Sequence, residues 1–273
     1  MERIREAIQR AKRERQSHVK IPESSGLKIP GAVPATSQAE KTSLGGTVLP
    51  TNARHLENCR VLIPQSNSAY LPAFDMLRTK ITQQMNANNW QVILVTSPTS
   101  GCGKTVSTIN LALSIARQPA QHVCVIDLDL RKPKIAYDLG VTPKYELQHV
   151  LTGEVSVEEA LFCVDIGGPR ISFLATTKPL MQPTEVLLSK QMKDTMHAIR
   201  NATPRPLIIV DMPPILLSDD VLAFLPQVDC CVLIVAESQS TLKEIEKSEV
   251  LLENTNFLGC VLTKSMEKVQ SYY

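Results

Sequence analysis

Aromatic residues make up only 4% of this 273-residue chain, with a single Trp. With so few stacking side chains and a slightly acidic main portion, nucleic acid is not an expected partner. No apolar run approaches the roughly 18 residues of a membrane span. The charged N-terminus also lacks the apolar stretch of a signal peptide, so the chain is expected to stay in the cytoplasm. Seven cysteines form no Cys-x-x-Cys pair, a pattern that fits a reducing compartment better than a disulfide scaffold or a zinc site. The five histidines do not cluster with Cys or carboxylates at ligand spacing, and no internal repeat is apparent.

What is present is 43% hydrophobic residues and a mean hydropathy near zero, enough for one sizeable α/β domain plus an extension. The formal charge of +2 hides an asymmetry. Residues 1–57 carry ten Lys/Arg against six Asp/Glu, whereas residues 58–273 carry 19 against 21. Glu2 to Gln16 reads as a basic helix with Ile4, Ala7, Ile8 and Ala11 at helical spacing, suited to a membrane surface, a partner, or solvent alone. Residues 17–57, rich in Pro, Ser and Thr, read as a disordered linker.

The most informative stretch is Ser97-Pro98-Thr99-Ser100-Gly101-Cys102-Gly103-Lys104-Thr105, between the apolar run Val92–Val95 and an amphipathic helix beginning near Lys104. Strand, glycine-rich turn and helix N-terminus together form a phosphate cradle of backbone N–H groups. Lys104 would reach the terminal phosphates and Thr105 would offer its hydroxyl to Mg²⁺. Two more apolar runs end in carboxylates: Val123–Asp127, followed by Asp129 and Arg131, and Leu207–Asp211, followed by Met212-Pro213-Pro214. Such runs read as central parallel strands, whose carboxyl ends line the ligand crevice of an open α/β sheet. The plainer reading is that these aspartates cap the turns that follow.

Strands near residues 91–96, 122–127, 170–174, 206–211, 228–235 and 258–263 alternate with helical patterns at 104–117, 183–200 and 240–254. The fold class is therefore α/β: a mostly parallel, doubly wound sheet of P-loop NTPase type. Trp90, Cys124, Cys230, Cys231 and Cys260 read as packing residues. Cys102, between the loop glycines at a helix N-terminus, is the one thiol placed for oxidation that would block the nucleotide.

These segments resemble the bacterial tyrosine kinases of polysaccharide assembly, a branch of P-loop ATPases related to cell-division and partitioning ATPases. The resemblance rests on the phosphate loop, Asp127-x-Asp129-x-Arg131 with Pro133, Asp211-Met212-Pro213-Pro214, Leu77–Ile81, Val150–Glu154 and Pro183–Ser189, and covers about Tyr70 to Tyr273. It implies that Ser100, Gly101, Cys102, Gly103, Lys104, Thr105 and Val106 bind ATP. It further implies that Thr105, Asp129 and Asp211 position Mg²⁺, that Asp127 accepts the tyrosine proton, and that Tyr272 and Tyr273 accept the phosphate. The family also implies a membrane chain-length regulator as activating partner and assembly with further copies of the chain. Pro72 and Asp75 depart from the ring-forming Glu-x-x-Arg-x-x-Arg, although Arg78 is kept, and Met212 replaces a hydroxyl residue. Three readings follow: an autophosphorylating tyrosine kinase, an ATP-driven switch without phosphotransfer, and a spatial-organisation ATPase. Arg131 fits a phosphate contact, a subunit contact or a solvated surface equally.

Overall fold

Short β-branched runs bounded by polar residues supply the centre of the sheet. The computed structural model describes residues 46–265 apart from 64–67, 120, 167 and 169. The basic helix expected at Glu2–Gln16, most of the linker and the Tyr272–Tyr273 pair lie outside the described residues. Among the described residues the strands are β1 (Thr47–Leu49), β2 (Val92–Thr96), β3 (Val123–Asp127), β4 (Phe162–Val164), β5 (Ser172–Leu174), β6 (Leu207–Asp211), β7 (Cys230–Ala236) and β8 (Phe257–Thr263). They form one sheet in the order β1-β4-β5-β3-β6-β2-β7-β8. All neighbours run parallel except β4 and β5.

Every residue of β2, β3 and β6 is buried, and alternate side chains feed two cores. Ile93, Val95, Val125 and Ile209 face one of them; Val92, Leu94, Ile126 and Val210 face the other. Covered on both faces, these strands have no polar side to alternate with. The expected helix over 183–200 is two helices, Pro183–Leu188 and Lys190–Asn201. Ser189 adopts extended backbone between them and its hydroxyl accepts the Met192 N–H, a side-chain cap that starts the second helix. Trp90 packs partly buried against the first core. Cys124, Cys230 and Cys231 are buried as expected, but Cys260 is exposed because β8 is an edge strand.

The linker reading through residue 57 differs from the structure at its C-terminal end. Residues 47–49 form the edge strand β1, and Asn52 caps a helix at Ala53–Asn58 by accepting the His55 N–H. Gly46 makes the entry possible: its φ is +119°, and a Cβ there would sit 2.7 Å from the Leu161 carbonyl oxygen. The chain is then fastened to the helix Lys104–Ala116 by Asn110, whose Nδ2 donates to Arg60 O (2.9 Å) and whose Oδ1 accepts the Leu62 N–H (2.7 Å). Replacing Asn110 with Ala leaves two backbone groups without these partners, at a cost of about 1–3 kcal/mol. Amide exchange at residues 47–62 is expected to accelerate in Asn110→Ala; unchanged exchange there would show that Asn110 does not hold this segment.

Candidate nucleotide site

The phosphate loop links β2 to the helix Lys104–Ala116, with Gly101 at φ +82° and Gly103 at φ +89°. Gly103 is the N-cap residue, and no side chain caps the helix there. Its first-turn N–H groups and dipole are thus directed at whatever lies ahead of the loop, a ready-made seat for phosphate. Ser100 is exposed, Val106 is half-buried, and Cys102 is only 1% exposed. The Cys102 thiol turns inward and donates to Thr99 O at 3.2 Å. Burial in the first core removes the accessibility that oxidation would require, which corrects the redox reading of this cysteine.

Strand register decides which carboxylates meet. Asp127 ends β3 and Asp211 ends β6, and the two are direct partners across the parallel pair. Both are fully buried. Asp211 Oδ2 accepts the Thr105 hydroxyl at 2.7 Å and lies 3.5 Å from Lys104 Nζ. Lys104 Nζ lies 2.7 Å from Asp129 Oδ2. The structure therefore brings Lys104, Thr105, Asp127, Asp129 and Asp211 together in the crevice where the β3, β6 and β2 ends meet.

The turn-capping reading of the aspartates also holds in part. Asp127 Oδ2 accepts the Lys134 and Ile135 N–H groups, both at 2.9 Å, and so starts the helix Ile135–Leu139. Asp129 Oδ1 accepts the Lys132 N–H at 3.1 Å. Met212, beside Asp211, points into the second core. Arg131 does not face the lysine: its Nε and Nη2 clasp Asp220 at 2.6 and 3.1 Å, and Thr184 Oγ1 donates to the same carboxylate at 2.7 Å.

Burial opposes the charge of Lys104, but Asp211 and Asp129 outweigh it and push the ammonium up to about 12. Burial, and then the facing Asp211, push Asp127 up to about 7. Burial likewise raises Asp211, against the pull of Lys104 and Thr105. One ammonium against three carboxylates leaves the pocket short of positive charge, so a cation fits it. Among the described residues no three His, Cys, Asp or Glu side chains form a metal cage. Mg²⁺ does not need one: it takes one or two protein oxygens and completes its shell with water and phosphate. Thr105, Asp129 and Asp211 supply oxygens of that kind.

A carboxyl whose native pKa is raised holds a proton that the unfolded chain has already lost. Its contribution favours the fold below the unfolded value of about 4 and is lost as pH rises through its raised native value. Asp127→Asn removes that titration. The nucleotide-free variant is expected to gain stability on the wild type between pH 5 and 7, by at most about 1.4 kcal/mol per unit. A stability difference that does not change with pH in denaturant titrations would mean that Asp127 is ionised throughout.

A model of the CobQ/CobB/MinD/ParA nucleotide binding domain matches residues 93–270. The tyrosine-protein kinase CpsD of Streptococcus pneumoniae is 30% identical over 195 residues, covering 69% of this chain and 82% of that protein. EpsB of Ralstonia solanacearum is 29% identical over 236 residues, 86% of this chain but 30% of that protein. The chain thus spans less than a third of the length of that relative. Among solved structures, the VpsO kinase domain aligns with a TM-score of 0.61 at 25% identity, over 70% of this chain and 94% of that one. The cell-division ATPase MinD of Pyrococcus furiosus shares the fold, with a TM-score of 0.52 at 22% identity. The family model and the similarity to CpsD show that the chain belongs to the bacterial tyrosine kinases, within the CobQ/CobB/MinD/ParA nucleotide-binding family.

Proposed function

We propose that this domain transfers the γ-phosphoryl group of ATP to tyrosine hydroxyls, including Tyr272 and Tyr273 of its own C-terminal tail. We infer that it does so under a membrane chain-length regulator of exopolysaccharide assembly. The observation that carries the reading is the meeting of Lys104, Thr105, Asp129 and Asp211 beneath an uncapped glycine loop.

Each residue then has a task. The loop from Ser100 to Val106 cradles the phosphates, and Lys104 shifts from its carboxylate partners towards the β- and γ-phosphates. Thr105, Asp129 and Asp211 would hold Mg²⁺ directly or through water, where it would supply positive charge against the transferred group. Asp127 takes the tyrosine proton, a role supported by its raised proton affinity, since a general base works best near the ambient pH. In transfer, the tyrosine oxygen bonds to the γ-phosphorus, the bond to the β-γ bridging oxygen breaks, and ADP leaves.

One observation favours a second reading, a nucleotide-driven switch without phosphotransfer. Arg78 Nη1 is 3.1 Å from Asp75 Oδ1 within its own helix, and Arg117 and the Ser114 hydroxyl bond to the same carboxylate. Asp75 and Arg78 thus knit their own chain together at the place where the family's ring motif would bind a neighbour.

Mass spectrometry of the C-terminal peptide after incubation with Mg²⁺ and ATP, with and without the cytoplasmic fragment of a candidate regulator, separates the two. Phosphate on Tyr272 or Tyr273 that disappears in Lys104→Met is expected, with a loss of about 100-fold or more in Asp127→Asn. An unmodified tail in both conditions, with ATP still bound, would favour the switch.

A further inference from the structure

A phosphate loop that points its N–H groups inward must point carbonyls outward, and each outward carbonyl needs a donor. Here those donors come from far along the chain. Gln239 Nε2 donates to Ser100 O at 2.6 Å, across 139 residues of sequence. Thr263 Oγ1 lies 2.6 Å from Cys102 O, across 161 residues, and 3.1 Å from Val235 O. The Gln239 amide is itself oriented, because Lys264 Nζ binds its Oε1 at 2.9 Å. That leaves only the nitrogen end to face the loop. Gly101 allows the approach: a Cβ there would sit 3.1 Å from Gln239 Nε2.

We propose that Gln239 and Thr263 are positioning residues of the phosphate site, holding alternate carbonyls of the loop outward so that the intervening N–H groups stay aimed at phosphate. This rests on the nucleotide reading given above. The two residues act from the β7 and β8 ends, on the side of the loop away from Asp129, and without them the Ser100 and Cys102 carbonyls lose these side-chain partners. Their effect falls on phosphate affinity rather than on the fold, because both anchors lie at the crevice rim: Gln239 is exposed and Thr263 half-buried.

The test measures displacement of a fluorescent ATP analogue by MgATP and by Mg²⁺-tripolyphosphate, on the full chain, for wild type, Thr263→Val, Thr263→Ser and Gln239→Leu. Thermal melting of each nucleotide-free protein runs in parallel, with Lys104→Met as control. Thr263→Val and Gln239→Leu are expected to lose about tenfold in affinity for both competitors while melting within a few degrees of wild type. Thr263→Ser, which keeps the hydroxyl, restores wild-type affinity. Unchanged affinity in both variants overturns the proposal. Weakened ATP binding with unchanged tripolyphosphate binding also overturns it, because the residues would then serve the nucleoside instead. Wild-type binding that survives Lys104→Met would defeat the nucleotide reading itself, and the positioning role with it.

Discussion

Three carboxylates and one ammonium at the ends of neighbouring strands are the constraint around which the rest of the molecule is arranged. Lys104 lies 2.7 Å from Asp129 and 3.5 Å from Asp211, while Asp127 stands in register with Asp211 at the next strand end. Charges this close and this buried are costly unless each finds a partner. Asp127 solves its share with backbone N–H groups and a raised proton affinity. Asp211 draws on Thr105 as well as Lys104. The arrangement persists because the central strands beneath it are apolar on both faces and hold Asp127 and Asp211 in fixed register, with Asp129 in the turn just beyond β3. A divalent cation with a polyphosphate would take over from bound protons and Lys104 the task of offsetting these carboxylates.

The rim of the crevice is assembled from elements that share no local sequence. Arg131 leaves the phosphate side and is held by Asp220, which also takes the Thr184 hydroxyl. Asn110 fastens the segment around Arg60 and Leu62 to the helix that begins with Lys104. The approach to the domain from its N-terminal side therefore runs through a residue of the phosphate-loop helix, and the exit through β8 passes the loop at Thr263.

Much of this was legible in the sequence, and the reasons are local. Runs such as Val-Ile-Leu-Val and Val-Cys-Val-Ile mark strands buried on both faces, and the spacing of the glycines before Lys104-Thr105 marks a phosphate loop. Asp127, Asp129 and Asp211 were identifiable because each follows such a run. The strand β1 was hidden by its three-residue length and by the prolines and glycines around it, which resemble a linker whether or not they flank an ordered element. Ser189, read as part of one continuous helix, is a cap because its hydroxyl is better used on a free N–H. Gln239, Thr263 and Asn110 carried no local signal, since their partners become neighbours only through the sheet order. The burial of Cys102 likewise depends on which way the loop turns.

Proton release on nucleotide binding tests most directly the claim that the buried carboxylates await a cation. Calorimetric titration of MgATP near pH 7, in buffers of different ionisation enthalpy, measures it. Burial and the facing Asp211 raise Asp127 to about 7, so near neutral pH it holds a proton part of the time, and a bound Mg²⁺ would drive that proton off. The account predicts net proton release in the wild type and a smaller release in Asp127→Asn, which lacks the carboxyl raised to about 7. Equal release in the two proteins, or binding as tight without Mg²⁺ as with it, would contradict it.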